Sequence, residues 1–392
     1  MPYVAWEEFW WNHITGAHAV VDHVALALME NKMVLLKVPS DLPWRHAMRS
    51  AIQAEFSARA NLRDIVVEEI DAVDDNATEL EPGRLILQRY ADSATKAGYR
   101  EKARISIQQY ISNKKVIKNR IIWVKGLDTE QAEKWITFCR GFSPRSASDG
   151  LFVLEVRGRV IPKPSKRLQC IDFDDRVSSY DVQQFNSVIL DRENVFSTNW
   201  KRYLSTVVAT VCGVDAELSE LLLRTTDFRT ETALDGLRYI DAEGCFDRRG
   251  TEMDSDHPLW HLRHGNTVEL LHRIWTAQIQ VLYPMIELER QRIVGIWYSE
   301  IEMALKTQVV TQFGTKITEP TEVELGTLCY MMKHKVTNKD YLLYIPDEED
   351  RERVSFLHEC RNKLAHMTCC LPGEVAALLE GPSYDLSDFG TR

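Results

Sequence analysis

The stretch HECRNKLAHM, residues 358–367, gathers two histidines, Arg361 and Asn362. These types suit one kind of chemistry, the movement of a proton beside a phosphate. Histidine's ordinary charge change falls near neutral pH, so it can take and return a proton. Arginine supplies a permanent charge and a planar fork matched to phosphate oxygens. A cation fixed where negative charge develops stabilises the transition state without a metal.

Arg361 and His366 form an R-x4-H pair, with the polar Asn362 directly after the arginine. Five residues along an ideal helix rotate about 140° and rise about 7.5 Å, so the two do not share a face. The length of Arg361 covers part of that gap, and a dimer that brings two such helices together would cover the rest. The bare spacing is weak, because Arg353–His358 is also R-x4-H and Arg351–His358 is R-x6-H. Both lack the polar follower, since Val354 and Glu352 stand in those places. A structural reading competes: Val354, Phe356, Leu357 and Leu364 make a core face, and Arg361 on that stripe could pair with an acid of another helix. Asn362 and His366 would then close the C-terminal turn, where the helix dipole favours a histidine. His358 and Cys360 are read as structural.

The elements that must position these residues are helical from Leu259 on. Residues 268–305 predict one long helix or a pair, bent at Pro284 or broken near Gly295. Residues 321–332 predict a helix with a capping box of Thr321 and Glu324. A turn-rich stretch, VTNKDYLLYIPDEED, precedes a helix over 349–367, and LPGEVAALLEG (371–381) is the last one. Residues 228–257, rich in Asp, Gly and Thr, read as a connection or an irregular insertion. Before them strands alternate with helices: strands at 33–39, 64–73, 120–128, 150–158 and 168–175, and helices at 44–59 and 129–142, the latter with Thr129 as a plausible cap. Near-continuous apolar strands of this kind suit a parallel sheet covered on both faces.

RNKLAH on the penultimate helix of a bundle, followed by a short loop and a final apolar helix, resembles the HEPN superfamily. The likeness runs from near Ile293 to the C-terminus. It implies an all-helical fold and a metal-independent ribonuclease that acts as a homodimer on an RNA substrate. His366 would be the general acid/base, Arg361 would stabilise the phosphate, and Asn362 would orient the pair or bond the scissile group. The first 200 residues or so resemble, by element order alone, a P-loop NTPase core of the AAA/STAND kind. They depart from it at the decisive places. Where GxxxxGK[ST] belongs the chain has VPSDLPWRHAM (38–48), with no glycine or lysine and two prolines. The third strand ends KGLD without paired acids, and Asp128 there suits a helix cap.

The expected fold is therefore α/β plus all-α: a degenerate P-loop-like parallel-sheet domain over 1–228, a connecting segment and linker helix over 229–290, and a HEPN-like bundle over 291–392. The expected role is an endoribonuclease regulated by a non-hydrolysing NTPase-like domain, which by analogy serves bacterial defence or toxin systems with a regulatory protein partner. The alternative is a scaffold in which both domains have lost their chemistry. Cofactors are expected to be none, and metal ligands none.

Bulk properties bound these readings. A net charge of −10 over 392 residues argues against a bulk nucleic-acid binder, while leaving room for a local RNA site. No apolar run reaches the roughly 18–20 residues that span a bilayer, and MPYVAWEEFWWNH lacks the pattern of a signal peptide. Eight scattered cysteines without CxxC read as reduced thiols of a cytoplasmic protein. Other clusters have plainer readings. Asp172, Asp174 and Asp175 suit a strand end and helix cap, and His257, His261 and His264 lack ligand spacing with an acid. AWEEFWW (5–11) suits core packing, and Lys114, Lys115, Lys118 and Arg120 suit a solvated face.

Overall fold

The computed structural model describes residues 5–39, 42–60, 65–72, 81–100, 105–157, 165–193, 195–245, 253–306, 316–335 and 341–381. Ser40 and Asp41, where a phosphate loop would lie, and residues 336–340 of the turn-rich stretch fall outside them. The chain is mixed α/β and mostly helical, with 17 helices and one five-stranded parallel sheet among the described residues. It forms two compact units. One is drawn from 1–185, 213–218 and 247–257, the other from 186–212, 219–246 and 258–392.

The first unit opens with α1 (Trp6–His13) and α2 (Thr15–Met29). The sheet comprises β1 (Met33–Lys37), β2 (Val66–Asp71), β3 (Arg120–Leu127), β4 (Leu151–Val156) and β5 (Leu168–Asp172), in the order β2-β3-β4-β1-β5. Between strands lie α3 (Arg45–Ala60), α4 (Pro82–Tyr90), α5 (Ser93–Gly98), α6 (Ile107–Asn113) and α7 (Thr129–Gly141). Strands β1 and β4 are buried on both faces, which is why their sequences run as unbroken apolar stretches. The β3–β4 register slips between Val124 and Leu127, where Gly126 takes φ +73°, a backbone conformation cheap only for glycine. Trp10 and Trp11 of α1 are fully buried, and Phe185 sits edge-on to Trp6, Trp10 and Trp44. Trp10 and Trp11 of the AWEEFWW segment are therefore core, while Glu7 and Glu8 are exposed. The cap of α7 is Asp128, boxed with Gln131, one residue before Thr129.

Helices α8 (Ser179–Glu193), α9 (Thr198–Cys212), α10 (Ala216–Thr225), α11 (Ala233–Ala242), α12 (Pro258–Arg263), α13 (Thr267–Ile296), α14 (Tyr298–Leu305), α15 (Leu325–Lys333), α16 (Glu348–Ala365) and α17 (Pro372–Leu379) follow. In the second unit α13 is the central element, packed on α9, α16 and α17. Its stripe Leu270, Ile274, Ala277, Val281 and Ile293 is buried, each large side chain contributing about 1.5–3 kcal/mol. Pro284 lies inside α13 without ending it, and the break falls at Trp297, two residues past Gly295. Three expectations need correction. The stretch 228–257 contains α11, whose cap Thr232 is boxed with Asp235 and whose Leu234, Leu237 and Ile240 face the core. Thr321 sits in a 3-10 turn over Pro320–Glu322, and α15 starts at Leu325 after Glu324. Glu324 makes no side-chain cap bond because its carboxylate is engaged elsewhere.

Candidate functional site

Helix α16 starts where Asp347 caps it, accepting from the Asp350 N–H at 3.1 Å, with Glu348, Glu349 and Asp350 at the positive end of the dipole. Val354, Leu357, Cys360 and Leu364 recur at helical spacing and are buried against α13 and α15. The helix ends in a Schellman arrangement: Thr368 N–H bonds the Lys363 carbonyl at 2.8 Å and Met367 N–H the Leu364 carbonyl at 3.3 Å. That geometry puts Met367 at φ +57°, and His366 becomes the C-cap. Helix α13 holds this end from beneath. Trp275 Nε1 donates to the Leu364 carbonyl at 2.7 Å. The buried Gln278 amide accepts from Cys370 N–H at 2.7 Å and donates to its carbonyl at 3.0 Å.

The three expected site residues occupy consecutive turns at this end. Arg361 donates through Nη2 to Glu324 Oε2 at 3.0 Å and through Nη1 to Asn362 Oδ1 at 3.2 Å. The ion pair is exposed, with 31% of the Arg361 side chain and 71% of Glu324 open to solvent, so it is worth no more than about 1 kcal/mol. Asn362 Nδ2 lies 3.0 Å from His358 Nε2. His366 is exposed one turn further on. The histidine beside the Arg–Asn pair is thus His358, while His366 stands at the open end of the helix. Burial, followed by the charges of Arg361 and Lys333, holds the His358 imidazole below its ordinary range.

The overlapping motif matches have other employment. Arg353 grips the buried Glu289 with two bonds of 2.7 Å and reaches the Ala377 carbonyl at 3.1 Å. Arg351 donates to the Ile345 and Pro346 carbonyls. Sequence reasoning missed Glu324, Glu289, Trp275 and Gln278 as supports of this site. Only Gln278, a buried amide on an apolar helix face, left a local trace.

Thiols line the inner side of the loop after α16. Cys370 and Cys360 are buried in thiol–thiol contact, which with burial pushes the Cys370 thiol far up, and burial raises Cys369 to about 11. With Tyr203, Leu271 and Gln278 the last two cysteines border a cleft of about 40 Å³, room for a water or two.

At the carboxyl ends of the strands, where open α/β sheets take ligands, ion pairs fill the ground. Glu155, 2% exposed, accepts from Trp123 Nε1 at 2.9 Å and pairs with Arg45 Nε of α3 at 3.1 Å. Lys37 Nζ pairs with Asp172 at 2.6 Å, so this acid serves the lysine, and that bond raises the Lys37 pKa. The Trp44 N–H donates to Glu217. The histidines of 257–264 are engaged separately: His257 with Asp215 at 3.1 Å, His261 with Asn266 at 3.1 Å, and His264 stacked on Trp260.

No family model matches this chain, and no curated protein matches it. No helix among the described residues is long and apolar enough to cross a membrane.

Proposed function

We propose that the helical unit is a metal-independent endoribonuclease of HEPN type, in which Arg361 binds and stabilises the scissile phosphate and His366 moves the proton. The observation that carries this reading is the state of Arg361. It stands near the C-terminal end of a helix anchored by one buried face, oriented by Asn362, with an exposed, weak ion pair to surrender. His366 adds an exposed imidazole at the C-cap of the same helix. Because the Arg361–His366 separation exceeds the reach of one face, the complete site draws on two copies of α16 in a homodimer. Attack of a ribose 2′-OH on the adjacent phosphorus, with loss of its proton and departure of the 5′-oxygen, would leave a 2′,3′-cyclic phosphate.

In this proposal the sheet-bearing unit neither binds nor hydrolyses a nucleotide and serves as a regulator, with a protein partner as trigger, in a bacterial defence or toxin system. The Glu155–Arg45 pair supports it, since a carboxylate there opposes an incoming phosphate. Labelled RNA incubated with the protein in EDTA, beside His366→Ala, tests the enzyme reading. Cyclic ends lost in the variant support it, and equal cleavage by the variant sinks it. A second reading, a scaffold without chemistry, draws on the Arg361–Glu324 pair as a purely structural tie. A wild-type protein that cleaves no RNA, beside an Arg361→Ala protein that loses stability, would favour that reading.

A further inference from the structure

The polarity of the bonds around Asn362 has a single solution. A guanidinium only donates, so the group of Asn362 that faces Arg361 Nη1 must be its carbonyl oxygen. The amide nitrogen then points the other way, to His358 Nε2 at 3.0 Å. An amide NH2 only donates, so Nε2 must accept, and the imidazole proton resides on Nδ1. The ring is held in place by the first turn of α15. A Cβ on Gly326 would lie 3.4 Å from Nε2, an ordinary van der Waals contact, which shows how closely the ring lies against that helix. The result is one directed chain across two helices, with Glu324 taking a bond from Arg361, Arg361 donating to Asn362, and Asn362 donating to His358.

We propose that His358 is a positioning residue for the site: as the acceptor of the Asn362 amide it fixes which way the amide faces, and so holds Arg361 in its phosphate-binding posture. The inference rests on the ribonuclease reading for its consequence, though not for its geometry. A proton on Nε2 removes the acceptor, and the amide can then satisfy the imidazolium only by turning its oxygen from Arg361. The charged groups facing the ring are Arg361 and Glu359 on α16 and Lys333 on α15, and the two cations favour the neutral ring. The posture of Arg361 is thus kept at neutral pH and released in acid.

Nitrogen-15 NMR of the full-length chain reads this directly. At pH 7.5 the His358 ring is expected as the Nδ1–H tautomer, and on acidification the Asn362 side-chain NH2 signals shift with the same midpoint as the ring. His358→Gln supplies an acceptor that does not titrate. It should keep the Asn362 signals, abolish their midpoint, retain RNA cleavage and flatten the acid limb of the kcat profile. His358→Leu should free the Asn362 amide and lower kcat about tenfold with KM little changed, the loss expected of one charge-linked bond. An Nε2–H tautomer at pH 7.5, or Asn362 signals indifferent to both substitutions, would overturn the inference. If the wild-type chain cleaves no RNA, the ribonuclease reading falls, and the Asn362 signals still decide the role of His358.

Discussion

Two arginines of α16 stand five residues before a histidine, and their surroundings predict opposite responses to the same substitution. Arg353→Ala strips both 2.7 Å bonds from Glu289, a carboxylate only 3% exposed, and leaves the Ala377 carbonyl without its donor. A buried charge that loses its partner costs about 3–5 kcal/mol. The Arg353 side chain is 20% exposed, so water can reach the vacated place and the lower end, about 3 kcal/mol, applies. For a unit of this size that is a fall in Tm of about 6–12 °C. Arg361→Ala removes an exposed pair worth under about 1 kcal/mol, a shift of at most about 4 °C. Urea and thermal unfolding followed by tryptophan fluorescence would separate the two. The double variant Glu289→Leu with Arg353→Met should recover most of the loss, because an apolar pair of similar volume replaces a buried ion pair at little cost. The reasoning is refuted if Arg361→Ala destabilises as much as Arg353→Ala, or if the double variant is no better than the single one.

Further outcomes follow from the same end of the bundle. Met367→Gly should raise stability by about 1 kcal/mol, since a solvent-exposed methionine at φ +57° carries strain that glycine lacks; unchanged unfolding midpoints would contradict it. Gln278→Ala leaves the Cys370 N–H and carbonyl buried without partners and should cost about 2–4 kcal/mol, with faster hydrogen exchange at Cys370 as the local sign. The His358 pKa is lowered from 6.5 in the folded chain, so the unfolded chain binds more protons in the window below that value. Stability should therefore be intact above about pH 6.5 and fall as the pH drops through the folded value. His358→Gln should remove that component from the pH dependence of unfolding.

Strands β1, β3 and β4 were legible because each is a mostly buried run of β-branched and apolar residues, as in RIIWVKGL and LFVLEV, while β2 and β5 are shorter in apolar residues and less buried. Helix α11 was not, because Asp, Gly and Thr dominate its neighbourhood and its apolar rhythm, Leu234, Leu237 and Ile240, is short; the Thr232–Asp235 box was the available signal. Glu324 illustrates a different limit. Local spacing offered it to Thr321 as a capping partner, but its carboxylate meets a guanidinium 37 residues away. Glu289 and Arg353 lie 64 positions apart, so nothing near either residue announces their bond. The motif RNKLAH was visible in the sequence, and so was the i, i+4 spacing of His358 and Asn362, whereas the polarity of the bond between them needed the placed side chains.

Burial separates the two places where this chain could meet a phosphate. Both hold an arginine that is already paired with a carboxylate. At the sheet the acid is Glu155, 2% exposed and held by Trp123 as well as by Arg45. A phosphate taking Arg45 would leave that carboxylate buried, unpaired and facing a second anion, at a cost of several kcal/mol. At α16 the acid is Glu324, 71% exposed, and once displaced it returns to water. The exchange there forfeits under about 1 kcal/mol and gains a bidentate contact with the guanidinium fork. The same pairing therefore closes one site and leaves the other open to competition. That difference, more than the R-x4-H spacing, supports the role proposed for Arg361.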